Sequence, residues 1–420
     1  MSQPTETSPP GGPEEPTHYP RPRACPYRPS PELRELARSG PLTKVRLYDG
    51  RTAWLVTGYE EARALLADER VSSRSDHPNH PVLAESHLHM RATREMAQEQ
   101  EGGFAGVLFG VDPPEHTRQR RILLPSFTTR RIGTHRDEIQ QIVDEHIDLM
   151  LREGPPADLV TAFARPVPMM VICAFLGVPY QERARFEEHA RELFDPTRAE
   201  RAQQELTDYL TDLITDKLAR SAESGTTDGL LGKLIRDHVR TGGLAVGELI
   251  EFTLAILVAG TVTSTQTIAL GTLALLEEPG QFAALAAEPA LIPGALDEIM
   301  RYLSLVEQLA RVALTDIAVG DEVIRAGDGI LIGFAAAHFG GDLTTHPDEL
   351  DVRRPPSGHF AFSHGIHHCL GHNLARLQLE IAFHALVTRL PGLRLAEPVD
   401  RIPWYDDLTL PRLLTLPVSW

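Results

Sequence analysis

Cysteine is scarce in this chain, and positive charge is in deficit. Three cysteines, Cys25, Cys173 and Cys369, are spread over 420 residues. An odd, widely spaced set argues against a disulfide framework and is typical of a reducing cytoplasm. The 41 Lys and Arg residues are outnumbered by 58 Asp and Glu residues, which gives a net charge of −17. Because such a surface repels phosphate backbones, we expect no nucleic-acid partner.

An apolar signal segment is also missing from the first 22 residues, which contain seven prolines. We expect residues 1–24 to be a flexible Pro-rich leader and residues 25–420 to be one domain. Residues 252–276 carry no charge and are long enough to span a bilayer. Their flanks are acidic and lack the Lys and Arg that mark the cytoplasmic end of a span. The prediction is a helix buried inside a soluble, cytoplasmic protein.

Helical periodicity dominates the rest of the chain. A β-hairpin is predicted over 45–57, around the Asp49-Gly50 turn, and a strand-rich patch over 317–334. The stretch 74–106 is predicted to be a long loop. Helices are predicted over 60–68, 115–125, 134–152, 157–176, 181–194, 198–223, 228–240, 247–278, 280–287, 291–303 and 371–389. The predicted fold is mainly α with small β-sheets, in a single domain.

The segment Phe362-Ser-His-Gly365-Ile-His367-His-Cys369-Leu-Gly371 carries the strongest chemical signal. Glycines on both sides of Cys369 allow a sharp turn or the close approach of a flat ligand. The helix predicted after Cys369 directs its positive dipole end at the sulfur, which favours the thiolate. Phe362 can cover the sulfur, and a basic His367 can neutralise negative charge at the ligand's edge. Such a thiolate suits a heme iron and O–O cleavage.

Two other interpretations of this segment stay open on the residues alone. The clustered side chains His364, His367, His368, Cys369 and His372 can be a zinc site, although no second cysteine is near. A plain buried cysteine beside surface histidines is the other alternative.

The segment resembles the heme-binding signature of the cytochrome P450 superfamily, Phe-x-x-Gly-x-His-x-Cys-x-Gly. The resemblance extends from about residue 25 to the end of the chain and is closest to the soluble bacterial branch, in particular actinomycete enzymes of specialised metabolism. It implies heme b held between a central long helix and the cysteine loop, with Cys369 as the axial iron ligand. Phe362, Gly365, His367 and Gly371 would surround the cofactor.

Further motifs of the superfamily follow in order. Glu298-Ile-Met-Arg301 matches its Glu-x-x-Arg pair, with Arg354, or Arg353 as a substitute, as the third member that locks the loop. The resemblance also implies that four side chains donate hydrogen bonds to the heme propionates, namely His116, Arg120, Arg311 and His359.

Ala259-Gly260-Thr261-Val262-Thr263 matches the superfamily's oxygen-site pattern with one departure. Ala259 and Gly260 would leave room for dioxygen, and Thr263 would supply the hydroxyl that donates a proton. Val262 stands where the pattern has an acid, so proton delivery must use another group, such as Thr261, Ser264 or a substrate hydroxyl. A second departure places His338 where the superfamily often has asparagine, and we expect changed hydrogen bonding there without a change of chemistry.

The expected activity is hydroxylation or epoxidation of a medium-to-large natural product, macrolide or peptide-like. The 74–106 loop, residues 165–195, Leu257, residues 303–310 with Glu307 and Gln308, and 408–410 would line the substrate pocket. Without flavin or iron–sulfur motifs in the chain, electrons must come from a ferredoxin and its reductase. A basic cluster would dock the ferredoxin on a monomeric enzyme: Arg118, Arg120, Arg121, Arg130 and Arg131. Oxidation without oxygen transfer, by coupling or desaturation, is the alternative, and a non-catalytic heme or zinc binder is a third.

Overall fold

Helices form most of the computed structural model, which describes residues 16–20, 23–83, 107–182, 199–224, 229–340, 343–405 and 410–420. The helices are α1 Pro31–Ser39, α2 Tyr59–Ala67, α3 Glu115–Leu123, α4 Thr129–Gly133, α5 Arg136–Glu153, α6 Pro166–Leu176, α7 Ala199–Ser224, α8 Gly229–Leu234, α9 Val246–Glu277, α10 Pro279–Ala287, α11 Ile292–Leu303, α12 Phe334–Phe339 and α13 His372–Arg389. The strands are β1 Thr17–His18, β2 Leu42–Arg46, β3 Thr52–Val56, β4 Val71–Ser72, β5 Ala157–Asp158, β6 Gln308–Ala313, β7 Ile317–Val319, β8 Glu322–Ile324, β9 Gly329–Gly333, β10 Arg394–Leu395, β11 Trp404–Tyr405, β12 Arg412–Leu413 and β13 Pro417–Ser419.

The largest sheet contains six strands in the order β1-β2-β3-β9-β6-β4. The predicted hairpin is confirmed as the antiparallel pair β2–β3, in which Lys44 lies opposite Trp54. Gly50 has a φ of +81°, which a glycine adopts without strain and which closes the turn. Strand β6 was not predicted, because residues 308–313 lack a clean alternation of polar and apolar side chains.

The long helix α9, which carries no charge over residues 252–276, crosses the domain and contacts α6, α7, α11 and α13. By length and composition alone it could cross a membrane. All of its residues from Ser264 to Leu276 are buried against the rest of the protein, however. Since a helix that is apolar on every side belongs in a core, the predicted internal position is confirmed.

Two sequence predictions are corrected by the fold. The helix predicted over 157–176 is divided into strand β5, a π-helical turn Val160–Ala164 and α6. Pro166 has no amide hydrogen and starts the new helix. Residues 17–18 of the predicted leader pair in parallel with β2, and Tyr19 is buried, so the packed chain begins before residue 24. Residues 84–106, 183–198 and 406–409 lie outside the described residues.

Candidate active site

A cavity of about 480 Å³ lies between α9 and the cysteine loop. Most of its lining is apolar: Leu108, Phe109, Phe127, Ile172, Ala255, Ile256, Met300, Leu303, Leu305, Val306, Leu309, Phe334, Phe362 and Leu374. Cys369 lies on this lining, and so do the side chains of Thr263 and several cations. The cavity therefore brings most of the predicted site residues together in one place.

Cys369 is held by the backbone of its own loop. Its amide donates to the Phe362 carbonyl at 2.8 Å, and α13 begins three residues later, at His372. Burial raises the pKa of the Cys369 thiol, whereas the Gly371 and His372 amides and Arg120 lower it. The helix terminus thus acts on the sulfur in the predicted direction, but burial outweighs it.

The two glycines that flank Cys369 differ in whether the surrounding protein leaves room for a side chain. Gly365 has a φ of +70°, and a Cβ there would lie 2.2 Å from the Leu66 carbonyl oxygen, so a side chain is sterically excluded. Gly371 has an ordinary φ of −84°, and a Cβ there would meet nothing within 4 Å. Protein packing therefore does not require glycine at 371, which lines the cavity and leaves space there.

A buried ion cluster on α11 holds the segment 338–354, which precedes the cysteine loop in the chain. Arg301 donates to both Glu298 oxygens, at 2.7 Å and 2.9 Å, and its side chain is completely buried. Arg354 Nε lies 3.1 Å from Glu298 Oε1 and is the third member of the cluster. Arg353 instead pairs at 2.9 Å with the exposed Glu288. These contacts distinguish the two arginines that the sequence left as alternatives.

Four nitrogen-bearing side chains line one end of the cavity: His116, Arg120, Arg311 and His367. Burial lowers the pKa of Arg311 to about 10 and also lowers that of Arg120. Neither arginine forms a salt bridge with the described residues. Two guanidinium groups in an apolar cavity without a carboxylate are costly alone, and they suit an anionic ligand.

His367 packs against His116 in the cavity that also holds Arg311. Burial, with Arg311 and His116 nearby, lowers its pKa to about 3. Its ring lies 4.3 Å from that of His116, and its Nε2 lies 3.0 Å from Ser73 Oγ. The side chain therefore lies within hydrogen-bonding distance of Ser73 at the end of the cavity that holds the arginines.

His359 is the predicted propionate donor that the structure places elsewhere. It is not part of the cavity lining. Its Nε2 lies 3.0 Å from Asp297 Oδ1, and its Nδ1 accepts the Ala361 amide at 3.2 Å. Burial acts to raise the pKa of Asp297, but hydrogen bonds from His359 and Arg376 outweigh it and lower the pKa. The Nε2 of His359 thus contacts α11, and its Nδ1 contacts the backbone just before Phe362.

The opposite wall comes from the middle of α9. Ala259, Gly260 and Thr263 line the cavity as predicted. Thr263 Oγ1 donates to the Ala259 carbonyl at 2.8 Å. A Cβ on Gly260 would lie 2.7 Å from Ile172 Cδ1, so glycine also permits the close packing of α9 on α6.

The groups considered as replacements for the missing acid are not equivalent. Thr261 is buried, donates to the Leu257 carbonyl and does not line the cavity. Ser264 does line it and accepts from Gln378 Nε2 at 2.7 Å. Gln378 was not singled out from the sequence, and no motif signals it. Its Oε1 is buried without a hydrogen-bond partner among the described residues.

The predicted substrate wall at 303–310 is apolar where it meets the cavity, through Leu303, Leu305, Val306 and Leu309. Glu307 and Gln308 were predicted to line the substrate pocket, but neither lies on the cavity lining. Glu307 forms a buried salt bridge with Arg23 at 2.9 Å, and Gln308 accepts from Tyr19 at 2.9 Å. Leu257 is likewise buried outside the cavity.

The predicted basic cluster is smaller than the sequence indicated. Arg118 pairs with Glu115 and Glu248, and Arg120 lines the cavity. Arg121, Arg130 and Arg131 are exposed and form no salt bridge within the described part of the chain. These three define the basic patch, on α3 and α4.

Comparison with known proteins agrees with this fold. A family model described as cytochrome P450 matches residues 195–391. The chain is 44% identical over 408 residues to pentalenic acid synthase of Streptomyces avermitilis, covering 96% of this chain and 98% of that protein. It is 40% identical over 407 residues to vitamin D3 dihydroxylase of Streptomyces griseolus, covering 96% of both. The structure of mycinamicin VIII C21 methyl hydroxylase from Micromonospora griseorubida, bound to mycinamicin VIII, superposes with a TM-score of 0.85 at 35% identity, covering 96% of this chain and 100% of that one.

Fold, cavity and similarity together define a heme-dependent oxidoreductase. The chain belongs to the cytochrome P450 family, as a bacterial monooxygenase that uses heme b. The residues fit that cofactor on independent grounds: a thiol faces the cavity, and two cations without carboxylate partners suit its propionates. Within the described ranges, no three metal-binding side chains come together, so the structure adds no support to the zinc interpretation.

Proposed function

We propose that Cys369 is the axial ligand of the heme and that the enzyme hydroxylates or epoxidises a medium-to-large natural product. The observation that carries the proposal is the position of this thiol, on a loop fixed by Gly365 and facing a cavity with Arg120 and Arg311 at one end. Mycinamicin VIII C21 methyl hydroxylase and pentalenic acid synthase are named for work on such compounds. The apolar lining favours a substrate whose reacting part is hydrocarbon.

When bound, the heme supplies the reductive activation of dioxygen. Around it, Arg120, Arg311, His116 and His367 would hold the propionates. The cluster of Glu298, Arg301 and Arg354 would fix the segment that precedes the ligand loop. Burial and Phe362 would keep water from the sulfur.

On the other wall, Thr263 would hold the proton that the reaction consumes. Its hydroxyl donates to Ala259 O at rest and can rotate towards the cavity, because a hydroxyl has one proton and a free rotor. Ser264 and Gln378 would hold a water beside it, since Gln378 Oε1 has an acceptor site to offer. Ala259 and Gly260 would leave the space for dioxygen.

Electrons would come from a ferredoxin and its reductase, in the cytoplasm, to a monomeric enzyme. The basic patch Arg121, Arg130 and Arg131 is the docking surface in this proposal, because complementary charge accelerates encounter with an acidic partner.

The ligand assignment is tested by the visible spectrum of the reduced carbon monoxide complex. Wild type should show the long-wavelength Soret band of thiolate ligation, and Cys369→Ser should lose it. Cys173→Ser, which removes a fully buried cysteine in α6, is the matched control and should keep it. A thiolate band in Cys369→Ser would refute the assignment.

The second candidate is oxidation without oxygen transfer, by coupling or desaturation, and the valine at 262 favours it. Labelled dioxygen separates the two, once a panel of natural products has yielded a substrate. Label in the product supports monooxygenation, and an oxidised product without label supports the alternative.

A further inference from the structure

His338, in α12, is a buried histidine that the site described so far does not use. It is 0% exposed, and both ring nitrogens have partners. Ser304 Oγ lies 2.8 Å from Nδ1, and the Phe360 amide donates to Nε2 at 2.7 Å. The ring therefore bridges two segments that are 56 residues apart in the sequence, 304 and 360.

The Phe360 amide determines which nitrogen carries the proton. A backbone N–H can only donate, so Nε2 is the acceptor and the proton lies on Nδ1. The Nδ1–H group donates to Ser304 Oγ, whose own hydroxyl donates to the Arg301 carbonyl at 2.8 Å. Burial, with His359 and Arg301 nearby, keeps the pKa of His338 well below its ordinary value, so the ring is neutral.

The two partners lead into different segments of the cavity lining. Ser304 ends α11 with a φ of +40°, a conformation that a serine holds only when its surroundings fix it. The wall residues Leu305 and Val306 follow it directly. Phe360 leads through Ala361 and Phe362 into the cysteine loop. Two hydrogen bonds to one ring thus join the substrate wall to the ligand loop.

We propose that His338 is a positioning residue that fixes the wall segment 304–309 relative to the Cys369 loop. The imidazole of His338 then positions both the wall that contacts the substrate and the loop that carries Cys369. The inference rests on the proposed role of Cys369 as the heme ligand, so the tests read the wall and the loop separately.

Two substitutions divide the bridge. In His338→Asn the amide reaches only the place of Nδ1, so the contact with Ser304 is kept and the acceptor for Phe360 is lost. In His338→Gln the longer amide reaches the place of Nε2, so the acceptor is kept and the contact with Ser304 is lost. Ser304→Gly removes the hydroxyl, and with it both the contact with His338 and the bond to the Arg301 carbonyl, while glycine tolerates the positive φ.

Each holoenzyme is measured in two ways. The reduced carbon monoxide spectrum gives the share of heme that lacks a thiolate ligand, and this share reports whether the cysteine loop is correctly placed. The dissociation constant of phenylimidazole, measured from its Soret shift, reports whether the wall segment 304–309 is correctly placed. His338→Gln and Ser304→Gly should raise that dissociation constant about three- to tenfold, the factor for one lost hydrogen bond, and leave the spectrum unchanged. His338→Asn should raise the share of heme without thiolate by a similar factor, about three- to tenfold, and leave the dissociation constant unchanged.

The double variant His338→Gln with Ser304→Gly should bind phenylimidazole no more weakly than Ser304→Gly alone, because Ser304→Gly already removes the bond that His338→Gln removes. Readouts that move together in every variant, or in none, would overturn the proposal. Wild type without a thiolate band would instead refute the role of Cys369. In that case the dissociation constants of the Asn and Gln variants still test His338 by themselves.

Discussion

The cavity wall that carries Cys369 and the wall formed by α9 are stabilised by different interactions. In the segment that precedes the cysteine loop, the carboxylate of Glu298 and two arginines form an ion cluster, in which Arg301 is 0% exposed. On α9, the hydroxyls of Thr261 and Thr263 donate to carbonyls one turn back in the same helix. The cluster thus joins α11 to residues distant in the sequence, whereas a hydroxyl on α9 can exchange hydrogen-bond partners by rotating. Substitutions on the two sides should therefore differ in kind.

The largest loss of stability is expected from Glu298→Gln. It leaves Arg301 buried without its full countercharge, which costs about 3–5 kcal/mol. The measurement is the free energy of unfolding of the holoenzyme in denaturant. The matched control Glu288→Gln breaks the exposed pair with Arg353 and should cost about 1 kcal/mol or less. Equal costs for the two variants would contradict the structural role of the buried cluster.

Arg311→Met should act in opposite directions with and without heme. In the apoprotein it removes a buried cation without a salt bridge among the described residues and should stabilise by about 1 kcal/mol or more. In the holoenzyme it removes a propionate donor and should speed heme transfer to a scavenger apoprotein. Arg311→Lys keeps the positive charge but loses the paired N–H donors of the guanidinium group. Its rate of heme transfer should therefore lie between those of wild type and Arg311→Met. Heme transfer at the wild-type rate in Arg311→Met would remove Arg311 from the cofactor site.

Thr263→Ala should change the use of electrons rather than stability. We expect the ratio of product formed to reductant consumed to fall about tenfold or more, with the difference recovered as hydrogen peroxide. Thr261→Ala is the matched control, since that hydroxyl makes the same bond one turn back but faces away from the cavity. An unchanged ratio in Thr263→Ala would take its hydroxyl out of proton delivery and favour oxidation without oxygen transfer.

The smallest effect is expected outside both walls, at the basic patch. Arg121→Glu should slow reduction by ferredoxin up to about tenfold at low salt, and less at high salt, where screening is stronger. Arg325→Glu, after β8, makes the same charge change on another surface and should leave the rate unchanged. Rates that are independent of salt in wild type and Arg121→Glu alike would exclude docking at this patch.

The resemblance to the superfamily's motifs was enough to predict that Cys369, Ala259, Gly260 and Thr263 line one site, and they line one cavity. The i,i+3 spacing was enough to predict the Glu298–Arg301 pair, because both residues lie within one helical turn. His359 could not be placed in the same way, because its partner Asp297 lies 62 residues away. Glu307 and Gln308 were misjudged for a related reason. Their partners Arg23 and Tyr19 belong to a segment that the sequence indicated to be a flexible leader.

The comparison of the two walls rests on the proposal that Cys369, on the loop fixed by Gly365, supplies a sulfur ligand to the heme iron. X-ray absorption at the iron edge of the oxidised holoenzyme measures that ligand directly. We predict one sulfur neighbour of the iron in wild type, Cys25→Ser and Cys173→Ser, and none in Cys369→Ser. A first shell of nitrogen and oxygen alone in wild type, or a sulfur that persists in Cys369→Ser, would contradict the account.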